Sequence, residues 1–188
     1  ISPWGFAQLP NKDYLVTDRS GVLYKVDQKK NKTVINDIPQ VLAQGQGGLL
    51  DIELHPNYAS NGWIYLSYSK FKEEKGEKVN TTAIVRGKIK DNTFSEMQEI
   101  FVASPYVNSG LHFGSRFAFD KEGYLFFSVG ERGKEKLFPQ LTDNDNGKIH
   151  RIFDDGRIPT DNPFVNDGKS RGSIYSYGHR NPQGLALN

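Results

Sequence analysis

The chain has 188 residues, 36% of them hydrophobic and 24% charged, with a net charge of +2. That is enough for one folded domain with a core, and too apolar for a disordered tail. No stretch approaches the ~20 apolar residues of a membrane span, the small net charge gives nucleic acid no footing, and the lack of cysteine excludes thiol catalysis, disulfides and Cys-type zinc sites.

Twelve Phe, nine Tyr and two Trp against a single Met favour sheets over helical bundles. From the N-terminus, residues 1–4 already lie in a strand-like pattern, so no signal peptide is visible; its removal and its absence both stay open. Three segments then share one plan: an apolar strand, a turn rich in Pro, Asp, Asn and Gly, and a second alternating strand. They are residues 5–17, residues 48–56 with 61–68, and residues 116–129, and a fourth begins at 184. Leu49, Phe117 and Leu185 fall 68 positions apart. Between the pairs lie further strand candidates at 82–89 and 99–102, while the lysine-rich stretch 70–78 reads as a solvated loop.

Four strands per repeat, hairpin turns and no long helical periodicity describe the blade of a β-propeller. A lone four-stranded sheet cannot bury both faces, whereas radial stacking covers them. The predicted blades are 1–47, 48–115 and 116–183, with the start of a fourth at 184–188. Propellers close with typically 4–8 blades, so the prediction is an all-β partial propeller.

Most motif templates fail. Residues 45–48 are glycine-rich but precede a strand, which excludes a dinucleotide loop. Residues 143–147 lack the glycine position and flanking helices of a calcium loop, and read as a surface turn. His55, His112, His150 and His179 show no zinc-ligand spacing, and no metal ligand is assigned. His55 reads as a turn residue and His179 as a locally bonded one.

Three polar clusters remain, at residues 44–48, 110–116 and 178–184, each just before the first strand of a repeat. In a propeller these loops converge on one channel mouth, a natural ligand pocket. Histidine titrates near neutral pH, so His112 is the candidate general base. Glu131, one hairpin later, is the candidate for its orienting partner. Arg180 offers a planar cationic fork, and Gln46 and Asn181 offer neutral hydrogen bonds. Singly, each of these residues also fits a structural role; the shared position in the repeat is what favours a site.

The same residues carry a resemblance. Residues 3–7, 48–59, 112–116, 147–152 and above all Gly-His-Arg-Asn-Pro-Gln-Gly at 178–184 resemble the soluble pyrroloquinoline-quinone-dependent sugar dehydrogenases of the glucose/sorbosone or aldose type. The resemblance implies a six-bladed propeller of which this chain supplies the first half. It implies oxidation of the C1 hydroxyl of aldose sugars, with His112 taking the proton and hydride passing to the quinone. Arg180 and Asn181 would hold the quinone oxygens and Gln46 the cofactor edge. Calcium would be the second cofactor, with ligands beyond residue 188. A sugar substrate, an unidentified electron acceptor, export to the periplasm or medium and a homodimer are also in its scope. Two positions depart from the family pattern: Glu131 replaces the usual Asp, and Leu111 stands where some members carry an acid. A cofactor-less propeller acting as a binding module is the rival reading, and a metal-dependent lactonase-type propeller a weaker one.

Overall fold

Alternating apolar and polar residues, cut by Gly, Asn, Asp and Pro, make short strands joined by tight turns. The computed structural model describes residues 1–134 and 136–187. In it these segments form three four-stranded antiparallel sheets, each a simple meander. The first sheet holds β1 (Pro3–Gln8), β2 (Tyr14–Asp18), β3 (Val22–Val26) and β4 (Lys32–Ile35). The second holds β5 (Leu49–Leu54), β6 (Ile64–Glu74), β7 (Glu77–Lys90) and β8 (Thr93–Val102), with the short helix α1 (Tyr58–Asn61) after β5. The third holds β9 (Phe117–Phe119), β10 (Leu125–Val129), β11 (Lys148–Ile152) and β12 (Ile174–Tyr177).

Each sheet covers its neighbour. Along β6, Ile64, Leu66 and Tyr68 join a core shared with Ala7, Leu15, Leu23 and Ile35 of the first sheet. Tyr65, on the opposite face, joins Phe117, Leu125 and Phe127 of the third. A period of two thus feeds two cores from one strand, and burying each such side chain contributes about 1.5–3 kcal/mol. These are propeller blades.

The first strand of every sheet lies on the inner side, since β1 packs along β5 and β5 touches β9. Hydrogen bonds stitch this seam. Thr17 Oγ1 donates to Leu50 O (2.5 Å), Ser67 Oγ to Ser115 O (2.9 Å) and Phe117 N to Asp51 Oδ2 (2.9 Å). Asp51 also pairs with Arg116 at 2.8 Å, and that guanidinium lies 4.5 Å from the centre of the Trp4 ring. Burial pushes the Asp51 carboxyl up, an effect that Arg116 partly offsets.

Two local expectations are corrected. The stretch 70–78 is no loop: pairing runs on to Glu74↔Glu77, making it the tip of the β6–β7 hairpin. Lys75 (φ 53°) and Gly76 (φ 81°) close it as a two-residue turn of positive φ, which matches strand twist. Residues 143–147 are no surface turn either, because Asn144, Asp145 and Asn146 are buried. Asp145 Oδ2 accepts from Ser104 N (2.8 Å), and Asp145 N donates to Ser104 O (2.8 Å). Backbone partners make the burial of Asn144 and Asp145 tolerable, while Asn146 Nδ2 and Oδ1 have no hydrogen-bond partner among the described residues. Residues 184–187 carry no strand pairing, and Asn188 lies outside the described residues.

Candidate active site

The loops entering β5 and β9 meet the segment that follows β12, and glycines permit the approach. A Cβ on Gly45 (φ 60°) would collide with the Gly110 backbone. Gln46 N donates to Gly110 O (2.7 Å), and His112 N donates to Gln46 Oε1 (2.8 Å). His112 takes φ 51°, a region that non-glycine residues rarely occupy. The Gln46 bond satisfies the N–H that this conformation turns inward.

Glu131 arrives from the far side, two residues past β10. Gly130 between them has no alternative: a Cβ there would strike His112 O and lie 3.0 Å from Asn181 Oδ1. Glu131 Oε1 engages His112 Nδ1, and Glu131 Oε2 accepts from Gly133 N (2.8 Å). Glu131 N donates to Arg180 O (2.8 Å), while Gly114 N donates to Asn181 Oδ1 (3.0 Å). A carboxylate on Nδ1 selects the tautomer that leaves Nε2 unprotonated and able to accept a proton. Among the described residues, Nε2 has no hydrogen-bond partner. His112 and Glu131 side chains are 12% and 11% exposed, so the pair is shielded yet reachable.

Of these groups His112, Glu131, Gly133 and Arg180 border an open cleft of about 550 Å³, whose walls add Leu111, Lys134, Lys136, Pro139, Gln140 and His179. The Arg180 side chain is exposed there and makes no hydrogen bond or ion pair among the described residues. Lys134, Lys136 and Arg180 outnumber the single carboxylate of Glu131, so the cleft favours an anionic ligand. His179 bonds Ser176 Oγ at 2.9 Å, and burial and the charge of Lys148 push its pKa down.

The five residues singled out in the sequence, Gln46, His112, Glu131, Arg180 and Asn181, are therefore together. Two differ in detail from expectation. The carbonyl oxygens of Gln46 and Asn181 are occupied by backbone N–H groups, which leaves their amide N–H groups for a ligand. No motif announced Arg132 or Lys148. Arg132 is wholly buried, lies 3.6 Å from the centre of the Phe113 ring and donates from Nη2 to Ser109 O (2.8 Å). Burial pushes its pKa down to about 9 despite the neighbouring Glu131. Lys148 is also wholly buried, donating from Nζ to Phe138 O (2.7 Å) and Asn146 O (2.6 Å) beneath the turn Phe138–Gln140 that walls the cleft. The hints in the sequence are the place of Arg132 beside Glu131 and that of Lys148 within the resembling stretch 147–152. His150 belongs to the core, stacked on Phe127 at 5.1 Å. His55 caps a turn through Asn57 N (2.9 Å).

The whole chain, residues 1–188, matches the family described as Glucose / Sorbosone dehydrogenase. The aldose sugar dehydrogenase YliI of Escherichia coli (strain K12) is 39% identical over 190 residues, which cover 99% of this chain and 50% of the relative. The crystal structure of the soluble aldose sugar dehydrogenase from Escherichia coli, in the apo-form, matches with a TM-score of 0.92 and 39% identity, over 100% of this chain and 54% of that one. The PQQ-bound aldose sugar dehydrogenase from Streptomyces coelicolor matches with a TM-score of 0.79 and 33% identity, over 96% and 51%. Quinoprotein glucose dehydrogenase B of Acinetobacter calcoaceticus is 30% identical over 210 residues, 98% of this chain and 42% of its own. The chain spans about half the length of the curated relatives it matches. Its three sheets accordingly match about half of the Escherichia coli propeller structure. No helix among the described residues is long and apolar enough to cross a membrane.

Proposed function

Because the chain belongs to the Glucose / Sorbosone dehydrogenase family, we propose that the intact protein oxidises aldose sugars at C1, using pyrroloquinoline quinone as the hydride acceptor. One observation carries this reading: the engagement of His112 Nδ1 by Glu131, which readies Nε2 as a base at the edge of a cationic cleft. The residues present suit the cofactor, a planar polyanionic quinone. The Arg180 side chain has no partner among the described residues, Lys134 and Lys136 add positive charge, and the amide N–H groups of Gln46 and Asn181 are uncommitted among the described residues.

When bound, the quinone accepts the hydride that leaves the sugar C1. His112 takes the proton of the C1 hydroxyl at Nε2, so that one C–H and one O–H bond break, a C=O bond forms and the lactone remains. Glu131 stabilises the imidazolium that results and holds the ring in place. Arg180 supplies a fixed positive charge for negative charge developing on oxygen. Calcium, an external electron acceptor, export and a homodimer belong to the same proposal.

The rival reading, a cofactor-less binding module, rests on Glu131 in place of Asp and on the part of the site expected beyond residue 188. The first motive weakens because the longer side chain still meets Nδ1. The test is reconstitution of the intact protein with pyrroloquinoline quinone and calcium, followed by dye reduction with a panel of aldoses. Aldose-dependent dye reduction supports the proposal, and a protein that takes up no quinone overturns it.

A further inference from the structure

Arg132 stands one residue past Glu131, fully buried, in a part of the molecule where a charge is costly to keep. Its neighbours are few and specific. Nη2 donates to Ser109 O (2.8 Å) and to Asn80 Oδ1 of β7, and the guanidinium plane covers the Phe113 ring. Ser109 Oγ returns a hydrogen bond to Arg132 O (2.5 Å) and accepts one from Leu111 N (3.2 Å). Ser109, Leu111 and Phe113 flank His112, while Arg132 and Gly133 follow Glu131. Both His112 and Arg132 (φ 70°) sit in the left-handed region, which neither side chain favours. Arg132 Nε and Nη1 have no hydrogen-bond partner among the described residues. An apolar residue would fill this space without stranding donors, so packing alone does not account for an arginine.

We propose that Arg132 is the positioning residue of the His112–Glu131 pair: its Nη2 bonds and its contact with Phe113 clamp the 109–113 loop onto the 131–133 turn and so hold Nδ1 against the carboxylate. This inference rests on the reading of His112 as the base, but its test does not depend on turnover.

The experiment reads the His112 Nδ1 proton by NMR in the intact protein without cofactor. A proton held by a carboxylate resonates well downfield, and loss of the signal in Glu131→Gln assigns it. The Trp4 and Trp63 indole signals serve as controls for the first two blades. Arg132→Met should remove or broaden the downfield signal while both indole signals persist, and Arg132→Lys, which keeps one donor and the charge, should restore it in part. A folded Arg132→Met protein with the signal unchanged overturns the proposal. If Arg132→Met fails to fold, Asn80→Leu takes its place, removing the anchor on β7 while leaving the arginine. Loss of the His112 signal there supports the proposal and an unchanged signal overturns it. Collapse of both variants also overturns it, since Arg132 would then hold the fold and not the pair.

Discussion

Gln46 Oε1 accepts a 2.8 Å hydrogen bond from His112 N across 66 residues of sequence. That separation is close to the 68-residue period, and it recurs: Gly114 to Asn181 spans 67 and Arg116 to Asp51 spans 65. One repeat therefore hands its loop to the next at the same end of the inner strands. Site and fold share a single geometry.

Replacing Glu131 by Gln keeps its size but removes the charge that would stabilise an imidazolium. Aldose oxidation by the intact protein should fall about 10²-fold or more in kcat. The sugar KM should change little, because Glu131 is committed to His112 and Gly133 N. A steady-state comparison of kcat and KM checks this.

Arg180 bears on cofactor affinity instead. Arg180→Met should weaken quinone binding about 10–100-fold, the worth of one or two charge-assisted hydrogen bonds. Fluorescence titration of the apo-protein measures it. The backbone carbonyl that accepts from Glu131 N survives the substitution, so the melting temperature should hold.

Gly130→Ala tests the packing of the site. The added methyl would meet His112 O and Asn181 Oδ1, the latter held by Gly114 N. The substitution should destabilise the protein by about 2 kcal/mol, read by denaturant unfolding, and should displace His112.

Lys148 gives a pH signature. Burial pushes its pKa down to about 8 from 10.5, with Asp145 and Asp143 opposing the shift. Between those values the unfolded chain holds a proton that the native chain has released, so this group makes stability rise with pH across that window. The wild type should gain stability relative to Lys148→Met between pH 8 and pH 10.5. Urea unfolding at a series of pH values, compared between the two proteins, checks the sign.

The blades were legible because their signal is periodic: apolar alternation, turn residues and the 68-residue spacing survive without any knowledge of partners. Four of the five candidate residues were legible for the same reason, since a shared place in the repeat brings Gln46, His112, Arg180 and Asn181 together, and Glu131 was reached through the hairpin that follows. What stayed hidden depends on neighbours that a linear pattern does not reveal. Residues 143–147 look like a surface turn, but Ser104 and the segment's own backbone satisfy Asp145 and Asn144 inside the protein. Lys148 alternates into a buried face because Phe138 O and Asn146 O await its ammonium. The charged tip of β6–β7 read as a loop because exposed hairpins and loops share composition, and only pairing separates them.

The most direct test of the account is turnover by His112→Asn in the intact protein loaded with pyrroloquinoline quinone. The account predicts that the variant takes up the cofactor as the wild type does while kcat for aldose oxidation falls about 10²–10⁴-fold. Wild-type turnover from a fully loaded His112→Asn protein would contradict it.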